Sequence, residues 1–110
     1  AVAGGVMGTP DYMAPEQLGE RPNPDPLSDQ YSAGLILYRL LCGRLPFDDQ
    51  DTMALIYATV HHQPPPPRQF RPDLPEGLEQ IVLRTLAKDP SQRFPNITAL
   101  REALEGPFHA

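Results

Sequence analysis

Apolar residues recur along this chain at the three- and four-residue spacing of helices and nowhere alternate convincingly with period two, which predicts four helices and almost no sheet. The first helix is expected from about Asp29 to Cys42, with Ser28 as N-cap, Asp29 complementing the dipole in the first turn, and Gly43 in the left-handed C-terminal position. Through Tyr31, Leu35, Ile36, Leu37, Tyr38, Leu40 and Leu41 it is apolar on nearly every face. Such a helix is normally buried all round, which makes it the expected axle of the domain. A second helix, roughly Thr52 to Val60 with Asp51 as cap, sets Met53, Ile56, Tyr57 and Val60 at helical spacing. The third, about Pro75 to Ala87, lines up Leu78, Ile81, Val82, Thr85 and Leu86 as a core-facing stripe behind a first-turn proline. The fourth, about Asn96 to Leu104, does the same with Ile97, Leu100 and Leu104.

Fifteen prolines are many for 110 residues, but they fall between the periodic segments and read as connectors of a helical domain. The run Gln63 to Arg68 is predicted to be extended polyproline II, a stiff surface linker in preference to an SH3-type ligand, tied down by Phe70 and Leu74. Nine basic and fourteen acidic side chains leave a net charge of −5, and the basic ones are spread singly, which disfavours nucleic acid as a partner. The longest apolar run, Ala33 to Tyr38, is far short of the about 20 residues a membrane span needs. A single cysteine, Cys42, permits no internal disulfide and fits a reducing, cytoplasmic compartment, and with His61, His62 and His109 it makes no metal-ligand spacing. Cys42 is expected to be a small buried hydrophobe. The chain opens on Ala1-Val2-Ala3-Gly4-Gly5-Val6, with no Met and no basic leader region, and the start reads as a truncation.

Three stretches stand out against this background. Gly8-Thr9-Pro10-Asp11-Tyr12-Met13-Ala14-Pro15-Glu16 has ordinary turn composition by itself. Downstream come Asp29-Gln30-Tyr31-Ser32-Ala33-Gly34, leading into the first helix, and Leu86-Ala87-Lys88-Asp89-Pro90-Ser91-Gln92-Arg93-Phe94. Taken singly, Asp29 reads as a first-turn charge, Glu16 as a solvated glutamate and Arg93 as a surface arginine in a turn. Taken in order, the three runs resemble the part of a protein kinase that begins at the end of the activation segment.

The chain therefore resembles the lower half of the C-lobe of a eukaryotic-type (Hanks-type) serine/threonine protein kinase, and the wording around Tyr-Met-Ala-Pro-Glu-Gln and Arg-Leu-Pro-Phe-Asp is most similar to the bacterial branch. The resemblance implies a mostly α fold, a partial kinase domain over residues 1–105 and a short tail at 106–110. It implies that Thr9, flanked by Gly8 and Pro10, lies in the substrate-side loop beside the residue being phosphorylated, with its hydroxyl bonded to the catalytic Asp and Lys. It gives Ala14, Pro15, Glu16, Asp29, Gly34 and Arg93 structural roles: a buried Glu16 paired with Arg93, and Asp29 accepting hydrogen bonds from the catalytic-loop backbone. A protein substrate with a Ser or Thr acceptor and the remainder of the kinase domain are the implied partners.

Phosphoryl transfer also needs a Gly-rich loop, a strand Lys paired with a helix Glu, an H-R-D-type base, and Asn and D-F-G ligands for magnesium. None of these motifs occurs in residues 1 to 110. No catalytic residue and no metal ligand is expected in this chain, which should bind neither ATP nor Mg and be inactive alone, while the intact parent uses both. A pseudokinase, and a non-catalytic helical docking module, are the alternative readings. An Asp29 facing open solvent far from residues 8 to 16 would favour the docking module.

Overall fold

A computed structural model gives the fold and describes residues 12–18, 25–48 and 51–106. Among the described residues there are four α-helices and no strand: α1, Pro26–Cys42; α2, Thr52–His61; α3, Glu76–Thr85; and α4, Ile97–Glu105. Short 3-10 turns at Pro15–Leu18, Pro67–Gln69 and Pro90–Gln92 connect them. No described helix is long and apolar enough to cross a membrane.

Helix α1 starts earlier than its apolar pattern predicts. Asp25, not Ser28, is the N-cap: its side chain accepts the Leu27 N–H at 2.7 Å, and Pro26 occupies the first turn, where a missing N–H costs nothing. Ser28 is instead buried one turn in. At the other end Gly43, at φ 78°, closes the helix in the left-handed conformation and bonds back to Arg39 O. Asp51 caps α2 as expected, through the Met53 N–H, and Asn96, where the fourth helix is expected to start, is the N-cap of α4, accepting the Ala99 N–H.

The core sits where α1 crosses α3. Tyr31, Leu35 and Tyr38 of α1 pack with Val82 and Leu86, and Ala14 fills the same cluster from the start of the chain. This approach needs Gly34: a β-carbon there would stand 2.1 Å from Thr85 Oγ1 and 2.9 Å from Thr85 Cβ. The α3 stripe faces inward as its periodicity predicts, with Ile81 joining Phe94 and Leu100 of α4 in a second cluster. The extended prolines end at Pro66, and Pro67 and Arg68 belong to a 3-10 turn instead of continuing polyproline II. Tyr38 Oη donates to Pro65 O at 2.8 Å, burying the phenol and raising its pKa, while Leu74 and half-buried Phe70 hold the rest of the linker.

Three faces differ from the pattern. Helix α1 is buried along one side only, leaving Ile36 52% and Leu40 76% exposed. On α2 the buried side chains are Leu55 and Thr59, whereas Met53 is 71% exposed and Tyr57 and Val60 also face out. In a helix that is apolar at most positions, several stripes have helical spacing, and tertiary contact with the Pro15–Leu18 turn selects one. Ile97, in the first turn of α4, is 68% exposed, and Leu100 carries that helix's burial. Cys42 is half-buried, its thiol pKa raised by burial.

Replacing Gly34 by Ala will lower stability by about 1–3 kcal/mol, because the overpacking cost exceeds the about 1 kcal/mol that Ala gains in helix propensity. Urea unfolding monitored by circular dichroism measures this, with Ala33→Gly as the contrasting exposed-site change.

Candidate functional site

The segment of residues 12–18 is held on α1 by contacts at Tyr12 and Glu16. Ser32 Oγ donates to the Tyr12 carbonyl, and Arg39 Nη1 donates to the Tyr12 phenol oxygen at 2.8 Å. Two residues on, the Ala14 side chain is fully buried, and Pro15 opens the 3-10 turn that carries Glu16. Glu16 Oε2 accepts Ser28 Oγ at 2.6 Å, which explains why Ser28 is buried in α1 and not free to cap it.

Arg93 closes the arrangement from the far end of the sequence. Its guanidinium reaches Glu16 through Nη1 at 2.7 Å and Nη2 at 3.0 Å, a two-point pairing across 77 residues. Nη1 also donates to Leu27 O at 2.8 Å and Nε to Ala87 O at 2.9 Å, and the guanidinium carbon lies 4.9 Å from the Tyr31 ring centroid. The Arg93 side chain is wholly shielded from solvent, but Glu16 is 31% exposed. Glu16 thus sits at the rim and meets a buried cation from outside, exposed where the resemblance implies burial. Burial pushes the Glu16 carboxyl up, but the hydrogen bonds from Arg93 and Ser28 outweigh it and hold the pKa below its ordinary value of 4.5. Tyr31, desolvated beside this pair, is pushed up to about 12.

Beside the ion pair, Gln30 joins α1 to the stretch before α4. Its Nε2 donates to Phe94 O at 2.9 Å, and its Oε1 accepts the Phe94 N–H at 3.0 Å. Sequence reasoning missed Gln30, although an amide inside a strongly apolar helix is itself a signal that a buried partner exists. Lys88 makes a further tie, donating to Thr59 O at the end of α2 and lying 4.6 Å over the Phe47 ring. Burial, with some repulsion from Arg93, pushes its ammonium down to about 8.

Asp29 is exposed and lines a shallow cavity of about 340 Å³ with Pro26, Gln30, Ala33 and Ile97. It is not remote from the A-P-E turn, because its neighbour Ser28 is bonded to Glu16. The structure thus brings Ala14, Pro15, Glu16 and Arg93 together around α1, with Asp29 alongside and Gly34 at the crossing with α3. Gly8, Thr9 and Pro10 lie outside the described residues. Among the described residues no group of three or more His, Cys, Asp or Glu side chains is placed to hold a metal ion. The chemistry of this arrangement is positional: it presents the end of one loop on a helical platform.

The profile of the protein kinase domain matches residues 3–108. The chain belongs to that family. Serine/threonine-protein kinase Pkn1 of Myxococcus xanthus is 46% identical over 103 residues, covering 94% of this chain and 15% of its own length. Serine/threonine-protein kinase PksC of Streptomyces coelicolor is 43% identical over 99 residues, or 90% of this chain and 18% of that protein. Tyrosine-protein kinase MasK of Myxococcus xanthus is 39% identical over 102 residues, 93% of this chain and 16% of MasK. The chain spans less than a fifth of the length of these bacterial kinases, and its four helices are a C-lobe portion of the kinase fold.

The half-exposed pair generates two expected outcomes. Glu16→Ala will destabilise the fold by about 2–4 kcal/mol, somewhat below the ~3–5 of a fully buried pair because water already reaches Glu16. Adding Arg93→Met will recover part of the loss, since no buried cation is then stranded; equilibrium unfolding of the single and double variants measures the coupling. The second outcome concerns acid. A carboxyl whose folded pKa is depressed contributes stability above its unfolded pKa and loses it as pH falls through the folded value, so stability will decline below about pH 4.5. Glu16→Gln will flatten that part of the pH–stability profile.

Proposed function

We propose that this chain is the substrate-side part of an intact serine/threonine protein kinase that transfers the γ-phosphate of ATP to Ser or Thr of protein substrates. The observation that carries the reading is the anchoring of residues 12–18 on α1 through Arg39, Ser32 and Ser28, with Arg93 bracing Glu16 from the loop after α3. Catalysis of phosphoryl transfer is mainly positioning and electrostatic stabilisation, so a loop that holds the acceptor must itself be held. Thr9, three residues before Tyr12 in the chain, is the residue proposed to position the catalytic Asp and Lys, with Gly8 and Pro10 shaping its loop. Glu16 and Arg93 act as the staple behind it, and Asp29 is proposed to receive the backbone of the catalytic loop.

On this reading ATP and Mg bind elsewhere in the intact kinase, and the nucleotide-binding and catalytic motifs absent from residues 1 to 110 lie in the remainder of its domain. The 110-residue polypeptide is then a scaffold with no transferase activity of its own. The lone Cys42 and the dependence on ATP support a cytoplasmic reaction. The similarity to MasK, a tyrosine-protein kinase, supports a second reading, a tyrosine acceptor, and the assay below separates the two.

In the intact kinase, Thr9→Ala will lower the turnover number by ~100-fold with little change in ATP affinity, because the hydroxyl acts on the acceptor side. The variant will still fold, since one neutral hydrogen bond is worth only about 0.5–1.5 kcal/mol. Thr9→Ser will recover most of the rate. Steady-state assays on Ser, Thr and Tyr peptides at varied ATP test this; unaltered turnover in Thr9→Ala, or a preference for Tyr peptides, overturns the assignment.

A further inference from the structure

At the C-terminal end of α1, Arg39, Gly43, Arg44, Leu45 and Asp48 line an open cavity of about 230 Å³. Its lining carries two arginines to one aspartate, an excess of positive charge on a chain whose net charge is −5. Both arginines are oriented. Arg39 spends one of its five N–H donors on the Tyr12 phenol oxygen at 2.8 Å, and Arg44 stacks 4.8 Å over the Phe70 ring while its Nε bonds Leu45 O at 3.5 Å. The backbone around them is set by the Gly43 cap, which turns the chain sharply so that residues 39, 44 and 45 line one space. The volume suits a single side chain, being smaller than the ~300–1,000 Å³ of small-molecule sites.

The Arg39–Tyr12 contact joins this cavity to the loop that carries Thr9, and so to the acceptor. Resting on the substrate-side reading above, we infer that the Arg39/Arg44 cavity is a specificity subsite for an anionic side chain, carboxylate or phosphate, of the protein substrate near its acceptor residue. Planar guanidiniums match the paired oxygens of either group. An acidic peptide approaching a chain of net charge −5 is repelled by the chain as a whole, so it gains from this surface only where the local sign is reversed. The site therefore acts by choosing which flanking residue is tolerated and not by raising affinity for acidic proteins at large. Asp48 at the rim opposes a second negative charge beside the first and favours a single anion.

The test uses the intact kinase and a Ser/Thr acceptor peptide whose flanking positions are substituted one at a time by Glu, phosphoserine, Ala and Lys. At one flanking position kcat/KM will be roughly five- to tenfold higher for Glu than for Lys, mainly through KM, as fits a partly exposed charge pair. The preference will shrink as salt is raised. Arg44→Glu, which leaves the Arg39–Tyr12 bond in place, will abolish or invert the preference; a purely structural role would instead lower the rate on every peptide alike. Phosphoserine above Glu identifies phosphate as the natural anion, and Glu at or above phosphoserine identifies a carboxylate. Equal rates across the scan, or a preference that survives the Arg44 charge reversal, overturn the inference while leaving the kinase reading intact. Failure to phosphorylate any peptide contradicts the kinase reading instead. Fluorescence anisotropy of the labelled Glu and Lys peptides, measured without nucleotide, then decides the subsite by itself: equal binding overturns it.

Discussion

Arg93 brings a full positive charge to a place water does not reach, and the segments around it are arranged to make that tolerable. A guanidinium cannot give up its proton, so it must be met by acceptors on every side. Those acceptors come from three separate stretches: the Glu16 carboxylate, the Leu27 carbonyl at the start of α1, and the Ala87 carbonyl in the loop after α3. The consequence is geometric. Whatever position Arg93 takes, the turn at Pro15–Leu18, the first turn of α1 and the loop after α3 are located relative to one another.

The α1–α3 crossing then supplies the apolar stability that a polar staple cannot. Close approach at Gly34 lets Tyr31, Leu35 and Tyr38 reach Val82 and Leu86, and the same helix carries Ser28, Ser32 and Arg39, which meet the loop ending at Glu16. Packing and presentation are thus performed by adjoining stripes of one element. A loop held at several points along such a helix has its position fixed by it.

How much of this was legible in the sequence depends on the kind of signal. Periodicity located all four helices and the inward stripe of α3, because a helix with a polar remainder has only one face to bury. It misjudged α1 and α2, whose apolar residues go nearly round the helix, so the choice between Met53-Tyr57 and Leu55-Thr59 was left to tertiary contact. The start of α1 was misread for a different reason: Ser28 is a good cap in isolation, but its hydroxyl is engaged by Glu16, and the Asp25-Pro26 pair was the better signal. The Glu16–Arg93 contact was legible only through the resemblance to kinases, since no local rule links residues 77 apart. The Arg39–Tyr12 bond was not legible at all, because a lone arginine late in an apolar helix carries no sign of its partner.

The bond between Gln30 and Phe94 has a further implication for how the chain tolerates change. The amide of Gln30 grips the main chain of residue 94 through both its N–H and its C=O, in the manner of one strand reading another. Any residue except proline offers those two groups. Position 94 is therefore free to drift in side-chain identity as far as this contact is concerned, limited instead by its packing on Ile81 and Leu100 and by the Arg84 guanidinium 4.2 Å over its ring. Position 30 has no such latitude, since only a side chain with both a donor and an acceptor at that reach can hold the loop. One contact thus divides its evolutionary constraint unequally: the reader is specified, and what it reads is generic backbone.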